Sequence, residues 1–344
     1  MDMFSIRSLL AAVYYMKKPT TFLLELFFKV VEPVESDTID VDIVRNGEQM
    51  AVFSSPLVEG RVVKKEGFVT STFKPPYLKE KIALLPQDLL IRDPGQMIYT
   101  IGSNREARIM KTLGENLNTL MQRFTRREEW MAAQALTVGS MNIIGEGVNR
   151  NIDFNMLNTH KVVLTLTDLW SDIVNSNPIK DIKDWVQLIL DDSGLVADKV
   201  VMGKTALAAF LSHPLVLKAL DNRRLNVGTI APDLMNNGAQ KIADWFDPNV
   251  EIWTYVGKYI DPADGVKKPL LPDNAVLIGA SAARCERHFA MIQDLDLGVN
   301  AAVQYFPKSW KTDDPSAQWV MLQSAPLPIP HQIDGFVIAK VLAD

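Results

Sequence analysis

An α+β fold is predicted for this chain of 344 residues. Three observations predict it. Ser103 to Leu136 carries helical periodicity without a proline, and the region ahead of it alternates apolar and polar residues with the period of two that marks strands. Beyond about Trp170, helical and strand patterns mix at the lengths of a separate α/β or α+β module.

The long stretch comes first because it sets the scale. Ser103 with Glu106 three residues on has the form of a capping box, so the helix has a marked start. Met110, Leu113, Leu117, Leu120, Phe124 and Met131 fall at helical steps on one face, while Arg108, Lys111, Glu115, Gln122 and Arg126 fall elsewhere. Gly114 is the one weak point, costing about 1 kcal/mol against alanine, and Gly139 is a fitting stop. At roughly 1.5 Å per residue the rod is about 50 Å long, as wide as a compact globule of this chain length.

Composition bounds the rest. The 47% hydrophobic and 22% charged residues are ordinary for a folded protein, and the formal charge of -5 argues against a chain whose main task is to neutralise phosphates. One cysteine, Cys285, excludes an intrachain disulfide framework. The histidines at 160, 213, 288 and 331 are too dispersed to show metal-ligand spacing, so no metal and no cofactor is expected. No cleavable signal pattern is read at the amino terminus. The most apolar run, Phe22 to Val31, contains Glu25 and Lys29 and is far short of the roughly 20 residues of a membrane span.

In chain order, residues 3 to 16 predict a short amphipathic helix, and Phe22, Leu23, Leu26 and Phe27 form a second apolar face; together they read as an arm that lies against something else. Residues 37 to 53 alternate Ile39, Val41 and Ile43 with aspartates, as a half-buried strand does. Between Pro56 and Pro86 a long two-stranded excursion is predicted, with a turn near Lys64-Lys65-Glu66-Gly67. Such a ribbon is marginal alone and needs a surface to lie on, either in its own domain or in a neighbour. After the long helix, residues 141 to 154 predict a hairpin around Gly145 to Asn149. Helices follow at Pro178 to Asp192, Thr205 to Leu211, Leu215 to Leu220 and Ala280 to His288, with strands at Lys199 to Met202, Glu251 to Tyr259 and Ala275 to Ile278. The tail is mostly strand, ending at Phe336 to Val341.

Three patterns invite an enzymatic reading. Asp198-x4-Gly203-Lys204-Thr205, between a strand and a helix, resembles a phosphate-cradling loop but puts a carboxylate where the loop needs its first glycine. Gly145-x-Gly147 lacks the third glycine of a dinucleotide site. Cys285 and His288, three apart on the predicted helix, have the spacing of a nucleophile and its base. An α/β enzyme using the first or the last of these is the rival reading.

The local text points elsewhere. Phe22-Leu23-Leu24-Glu25-Leu26-Phe27-Phe28, Ser54 to Gly60, Phe73-Lys74-Pro75-Pro76-Tyr77-Leu78-Lys79, Gly265 to Asn274, Tyr305 to Trp310 and Gln323 to Leu327 resemble, in the same order, segments of the lambda-type major head proteins of tailed bacteriophages. The resemblance implies the tailed-phage capsid fold (Hong-Kong-97-type): an N-terminal arm and first strand over 1–53, an extended loop over 54–86, a peripheral domain over 87–172 with its spine helix at 103–138, an axial domain over 173–289, and a return to the peripheral domain over 290–344. It implies a non-enzymatic shell subunit that assembles with itself into hexamers and pentamers around DNA, without sequence-specific binding. Contacts between subunits are expected at Val58, Arg61, Val62, Lys64, Lys65, Phe68, Phe73 and Tyr77 of the loop and at Phe22, Phe27 and Phe28 of the arm. Some relatives cross-link lysine to asparagine, but the lambda type does not, so no cross-link is expected at Lys64 or Lys65. With about 20 residues ahead of Phe22, a separate scaffolding protein is expected, with a portal and a decoration protein; assembly in the host cytoplasm and residence in the virion follow. An encapsulin-like compartment of the same fold is the second alternative.

Overall fold

The computed structural model describes residues 4–16, 21–44, 68–87, 105–145, 147–220, 228–234, 238–294, 303–314 and 316–343. The chain opens with helix α1 (Ile6–Tyr15) and the one-turn α2 (Leu23–Leu26), then strands β1 (Val30–Val34), β2 (Ile39–Val44), β3 (Phe68–Phe73) and β4 (Leu78–Leu84). The long helix α3 (Arg105–Thr137) leads to the hairpin β5 (Ser140–Gly145) and β6 (Val148–Asp153) and the short β7 (Lys161–Val163). Helix α4 (Pro178–Ser193), strand β8 (Lys199–Met202), helices α5 (Lys204–Ser212) and α6 (Pro214–Leu220) and the meander β9 (Gly228–Leu234), β10 (Ala239–Phe246) and β11 (Asn249–Tyr255) follow. The rest is strand: β12 (Lys258–Ile260), β13 (Lys267–Pro269), β14 (Ala275–Gly279), β15 (Cys285–Ala290), β16 (Phe306–Thr312), β17 (Ala317–Ser324), β18 (Pro326–Pro330) and β19 (Phe336–Lys340).

A seven-stranded mixed sheet in the order β7-β19-β14-β8-β11-β10-β9 forms one body. Val200, Met202, Ile252, Val276 and Ile278 on one of its faces pack with Trp185 and Ile189 of α4 and Phe210 of α5. The caps on α4 are legible: Asn177 accepts from the Lys180 amide, Pro178 sits in the first turn, and Gly194 closes the helix with φ of 68°. The last strand, β19, is inserted between β7 and β14, so the tail serves both this sheet and the strands against α3.

Two three-stranded sheets are associated with α3. One has the order β16-β17-β4, the other β1-β15-β18. The N-terminal half of α3 places Leu113, Leu117, Leu120, Met121 and Phe124 against Leu9 and Val13 of α1 and Val320 and Leu322 of β17. Its C-terminal half changes character: Met131, Ala132, Ala133, Ala135 and Leu136 are all buried, in a core shared with α2, β14, β18 and β19. Alanine on successive positions lets neighbouring backbone approach from more than one side. In β18 the prolines 326, 328 and 330 alternate with Leu327 and Ile329, and the strand lies at its sheet's edge.

Several expectations need correction. Met110 is 54% exposed; among the described residues, the helix's contacts with α1 and β17 in this core begin at Leu113. Ala280 to His288 is not a helix; Cys285 to Ala290 form β15 between β1 and β18, where ladder pairing on both sides overrides the helix-forming residues. Glu251 to Tyr259 is two strands broken at Gly257, where a Cβ would come within 2.4 Å of the Tyr255 ring. Phe68–Phe73 pairs with β2, Ile39 opposite Phe73 and Val44 opposite Phe68, while β4 joins β17. The expected turn at Lys64 to Gly67 and the capping box at Ser103 lie outside the described residues.

Candidate assembly surfaces on the spine helix

Helix α3 carries two adjacent buried acids, Glu128 and Glu129. Glu129 binds the arm. Its Oε1 accepts from the amides of Phe22 at 3.1 Å and Leu23 at 2.7 Å, and its Oε2 accepts from Leu24 at 3.1 Å. The Tyr255 hydroxyl adds a fourth donor at 3.0 Å. The amides are those at the start of α2, which have no partner within their own helix, so a carboxylate from a residue more than 100 positions away caps it. Burial pushes the Glu129 carboxyl above the usual range while the four donors pull it back. Burial beside this acid also pushes the Tyr255 hydroxyl up. On the adjacent residue, Glu128 Oε1 accepts from the Tyr305 hydroxyl at 2.8 Å.

The predicted contact residues fall into three groups. Phe22, Phe27 and Phe28 are buried in this chain's own core: Phe22 lies 5.0 Å from the Tyr255 ring and Phe27 meets Phe336 edge-on at 5.0 Å. Phe73 is likewise buried, its ring 5.7 Å from Phe154. The segment after α1 is thus held to its own subunit by α3. Val58, Arg61, Val62, Lys64 and Lys65 lie outside the described residues, and Phe68 is placed by its backbone in β3. Tyr77 is the exposed member. Its hydroxyl donates to Gln323, and burial of the ring's polar end pushes its pKa up to about 12.

Tyr77 lines an open groove of about 430 Å³ on α3, together with Glu80, Arg123, Arg127, Trp130 and Tyr259. Arg123 donates to Glu80 at 2.9 Å and the Arg127 guanidinium lies 5.0 Å from the Trp130 ring centre. On the opposite face of that sheet, Trp310 and Trp319 stack across β16 and β17, with the Lys81 ammonium 4.5 Å over Trp319. The groove therefore offers aromatic faces and guanidinium groups along one side of the spine.

The enzymatic candidates are spent on structure. The first amides of α5, Thr205 at 3.1 Å and Ala206 at 3.0 Å, and the Thr205 hydroxyl at 2.6 Å all donate to the Asp273 carbonyl. A Cβ on Gly203 would come within 2.3 Å of the Pro272 carbonyl oxygen. The donors a phosphate would need are taken, and Asp198 accepts from the Ser281 amide and hydroxyl at 2.7 Å each. Cys285 is buried, which pushes its thiol up, and on a strand residues three apart point to opposite faces. Its ladder partner is Pro330, while His288 lies opposite Leu327. What sequence spacing missed is that β15 and β18 bring Glu286, His288 and His331 together.

A family model described as phage major capsid protein E matches residues 5–341. The major capsid protein of Escherichia phage lambda is 30% identical over 348 aligned residues, which cover 99% of this chain and 100% of that protein. Among solved structures, a prophage capsid protein of E. coli CFT073 is 22% identical with a TM-score of 0.71, over 98% of this chain and 99% of the other. The SrpI encapsulin complex of Synechococcus elongatus matches with a TM-score of 0.50 at 9% identity, over 98% of this chain and 96% of its own, a likeness of fold alone.

Proposed function

Since the chain belongs to the phage major capsid protein E family, we propose that it is the major capsid subunit of a tailed phage or prophage, forming the hexamers and pentamers of an icosahedral shell that encloses DNA. The observation that carries this reading is the breadth of the match, which runs from residue 5 to 341 and covers the lambda protein along its whole length. The role is structural, without catalysis. Head-to-tail contacts that close make rings, and many weak ones joined in a shell make it stable.

Residues 54–86 form the loop that overlaps a neighbour, with Val58, Arg61, Val62, Lys64 and Lys65 in contact. Among the described residues the pair β2–β3 has no third strand, and a two-stranded ribbon is marginal alone. Its base is fixed where Phe73 packs on Phe154. The groove at Tyr77, Arg123 and Trp130 is the surface that receives the neighbour's loop. Helices α4 to α6 and the seven-stranded sheet make the axial body over 173–289, with β7 and β19 added from outside that range; 87–172 and the rest of 290–344 make the peripheral body. A separate scaffolding protein, a portal and a decoration protein complete the head, which assembles in the host cytoplasm.

Electron microscopy of the purified chain tests this reading. Closed shells, rings or tubes are expected; a monodisperse small particle under every assembly condition would overturn it. Replacing residues 48–64 with a short glycine-serine linker is expected to leave a folded subunit that forms no shells, and normal shells from that variant would remove the loop from the contact.

A further inference from the structure

We propose that Glu286, His288 and His331 form a binding site for a divalent transition ion of the zinc class. The three ligand atoms converge from two strands. His288 Nε2 and His331 Nε2 are 3.1 Å apart, and Glu286 Oε2 is 3.1 Å from His331 Nε2 and 3.5 Å from His288 Nε2. Zinc held tetrahedrally at 2.0–2.1 Å puts its ligands about 3.3 Å apart. The triangle already has that edge length. Two imidazoles and a carboxylate are also a donor set that suits zinc, cobalt or nickel over magnesium or calcium.

The fold explains the convergence. Glu286 and His288 are two apart on β15 and so share a face. Ladder pairing sets Cys285 opposite Pro330, which delivers His331 to the end of the same sheet. On the third strand, β1, Glu32 is in register with His288 and offers an exposed carboxylate within reach of the fourth position. The Glu286 side chain is 9% exposed, and its Oε2 faces both imidazole Nε2 atoms. A buried carboxylate is stabilised by a cation beside it, and an ion in the triangle would supply one. The other oxygen, Oε1, accepts from Arg284 Nε at 2.7 Å, which fixes the carboxylate's orientation.

Two features set the strength. Arg284 brings a positive charge close to the ion, and His288 Nδ1 lacks a partner, whereas ligating histidines ordinarily donate that proton to an acceptor; loss of such a partner costs roughly 10- to 100-fold in affinity. The site is therefore one of moderate affinity that ties two strands together when filled, and a third where Glu32 rather than water takes the open position.

The test uses full-length subunits titrated with cobalt(II) chloride and with zinc chloride. One equivalent of cobalt is expected, with visible bands stronger than those of the aqueous ion, displaced by zinc, and a higher melting temperature in zinc. His331→Gln, at the half-buried rim, and Glu286→Gln are each expected to weaken binding at least tenfold, whereas His213→Gln, in the other body, leaves it unchanged. No uptake by the unsubstituted protein, or equal uptake by His331→Gln with its fold intact by circular dichroism, would overturn the proposal. Neither result bears on shell formation, which electron microscopy reads separately.

Discussion

Replacing Glu129 with alanine removes one acceptor and strands four donors: the amides of Phe22, Leu23 and Leu24 and the hydroxyl of Tyr255. A buried donor left without a partner costs about 1–3 kcal/mol. Water entering the vacated space relieves part of this, so the low end applies to each and Glu129→Ala should cost about 4 kcal/mol. That is a large share of the roughly 5–15 kcal/mol that holds a typical fold. Glu129→Gln keeps an oxygen where three of the donors converge but points an NH2 at the Leu24 amide, for a cost of about 1–2 kcal/mol. Tyr255→Phe removes a single donor and leaves the charge capped by three amides, at about 1 kcal/mol. The measurement is urea unfolding of assembly-free subunits followed by tryptophan fluorescence. Limited trypsin digestion at the exposed Lys29 provides a local readout, because loss of the cap should release the segment before the rest unfolds. The order alanine, glutamine, then Tyr255→Phe is required. A Glu129→Ala protein within about 0.5 kcal/mol of the parent, or a Tyr255→Phe change that costs more than it, would refute the clasp.

Gly203→Ala should destabilise by about 1–3 kcal/mol, the usual range for forcing an extra methyl into packed structure, because the new Cβ meets the Pro272 carbonyl at 2.3 Å; unchanged thermal stability would show that this turn can open. Leu117→Asp should abolish soluble expression, since a carboxylate would replace a side chain buried against α1 and β17; recovery of a folded subunit would mean that the stripe is misread. His213 gives a pH dependence. Its Nδ1 accepts from the Leu215 amide at 3.3 Å, its Nε2 lies 3.2 Å from the Ser176 hydroxyl, and burial holds its pKa below the ordinary 6.5. A base depressed in the fold contributes stability above its unfolded value and loses it as pH falls through about 6.5 and below. The parent should therefore lose more stability between pH 7.5 and 5.5 than His213→Gln, and parallel profiles would exclude His213 as the cause.

Much of this fold was legible because its elements are long or strongly punctuated. The spine showed itself by an unbroken stripe, α4 by its helical pattern from Pro178 to Asp192, and the hairpin β5–β6 by its glycines. The failures have particular causes. β15 was read as helix because Ala282, Ala283, Arg284 and Glu286 favour one locally, whereas two flanking strands decide the outcome. The meander strands β9 and β10 went unread, since their sequence shows no clean alternation and they acquire their role from β11. At the candidate surface, the arm's aromatic residues were recognised as apolar but not as belonging to this chain's own core, which only the placement of α3 reveals. The acid beside the clasp did leave a trace: the stripe steps from Phe124 to Met131 across seven positions, and Glu128 occupies the missing place. A charged residue on an apolar stripe signals a buried acceptor, and its donor, Tyr305, is too distant in sequence to be guessed. The same distance hid His331 from Glu286 and His288.

The prolines of β18 bear on how a sheet can end inside a fold. The Ala290 amide donates to the Ala325 carbonyl, so Leu327 and Ile329 share that orientation toward β15, and prolines 326, 328 and 330 turn their nitrogens to the outer side. A proline nitrogen has no hydrogen to give. All five residues of β18 are buried, so this border faces packed structure, and the prolines leave no amide hydrogens stranded along it. The sheet can stop in the interior without a further strand to receive those groups.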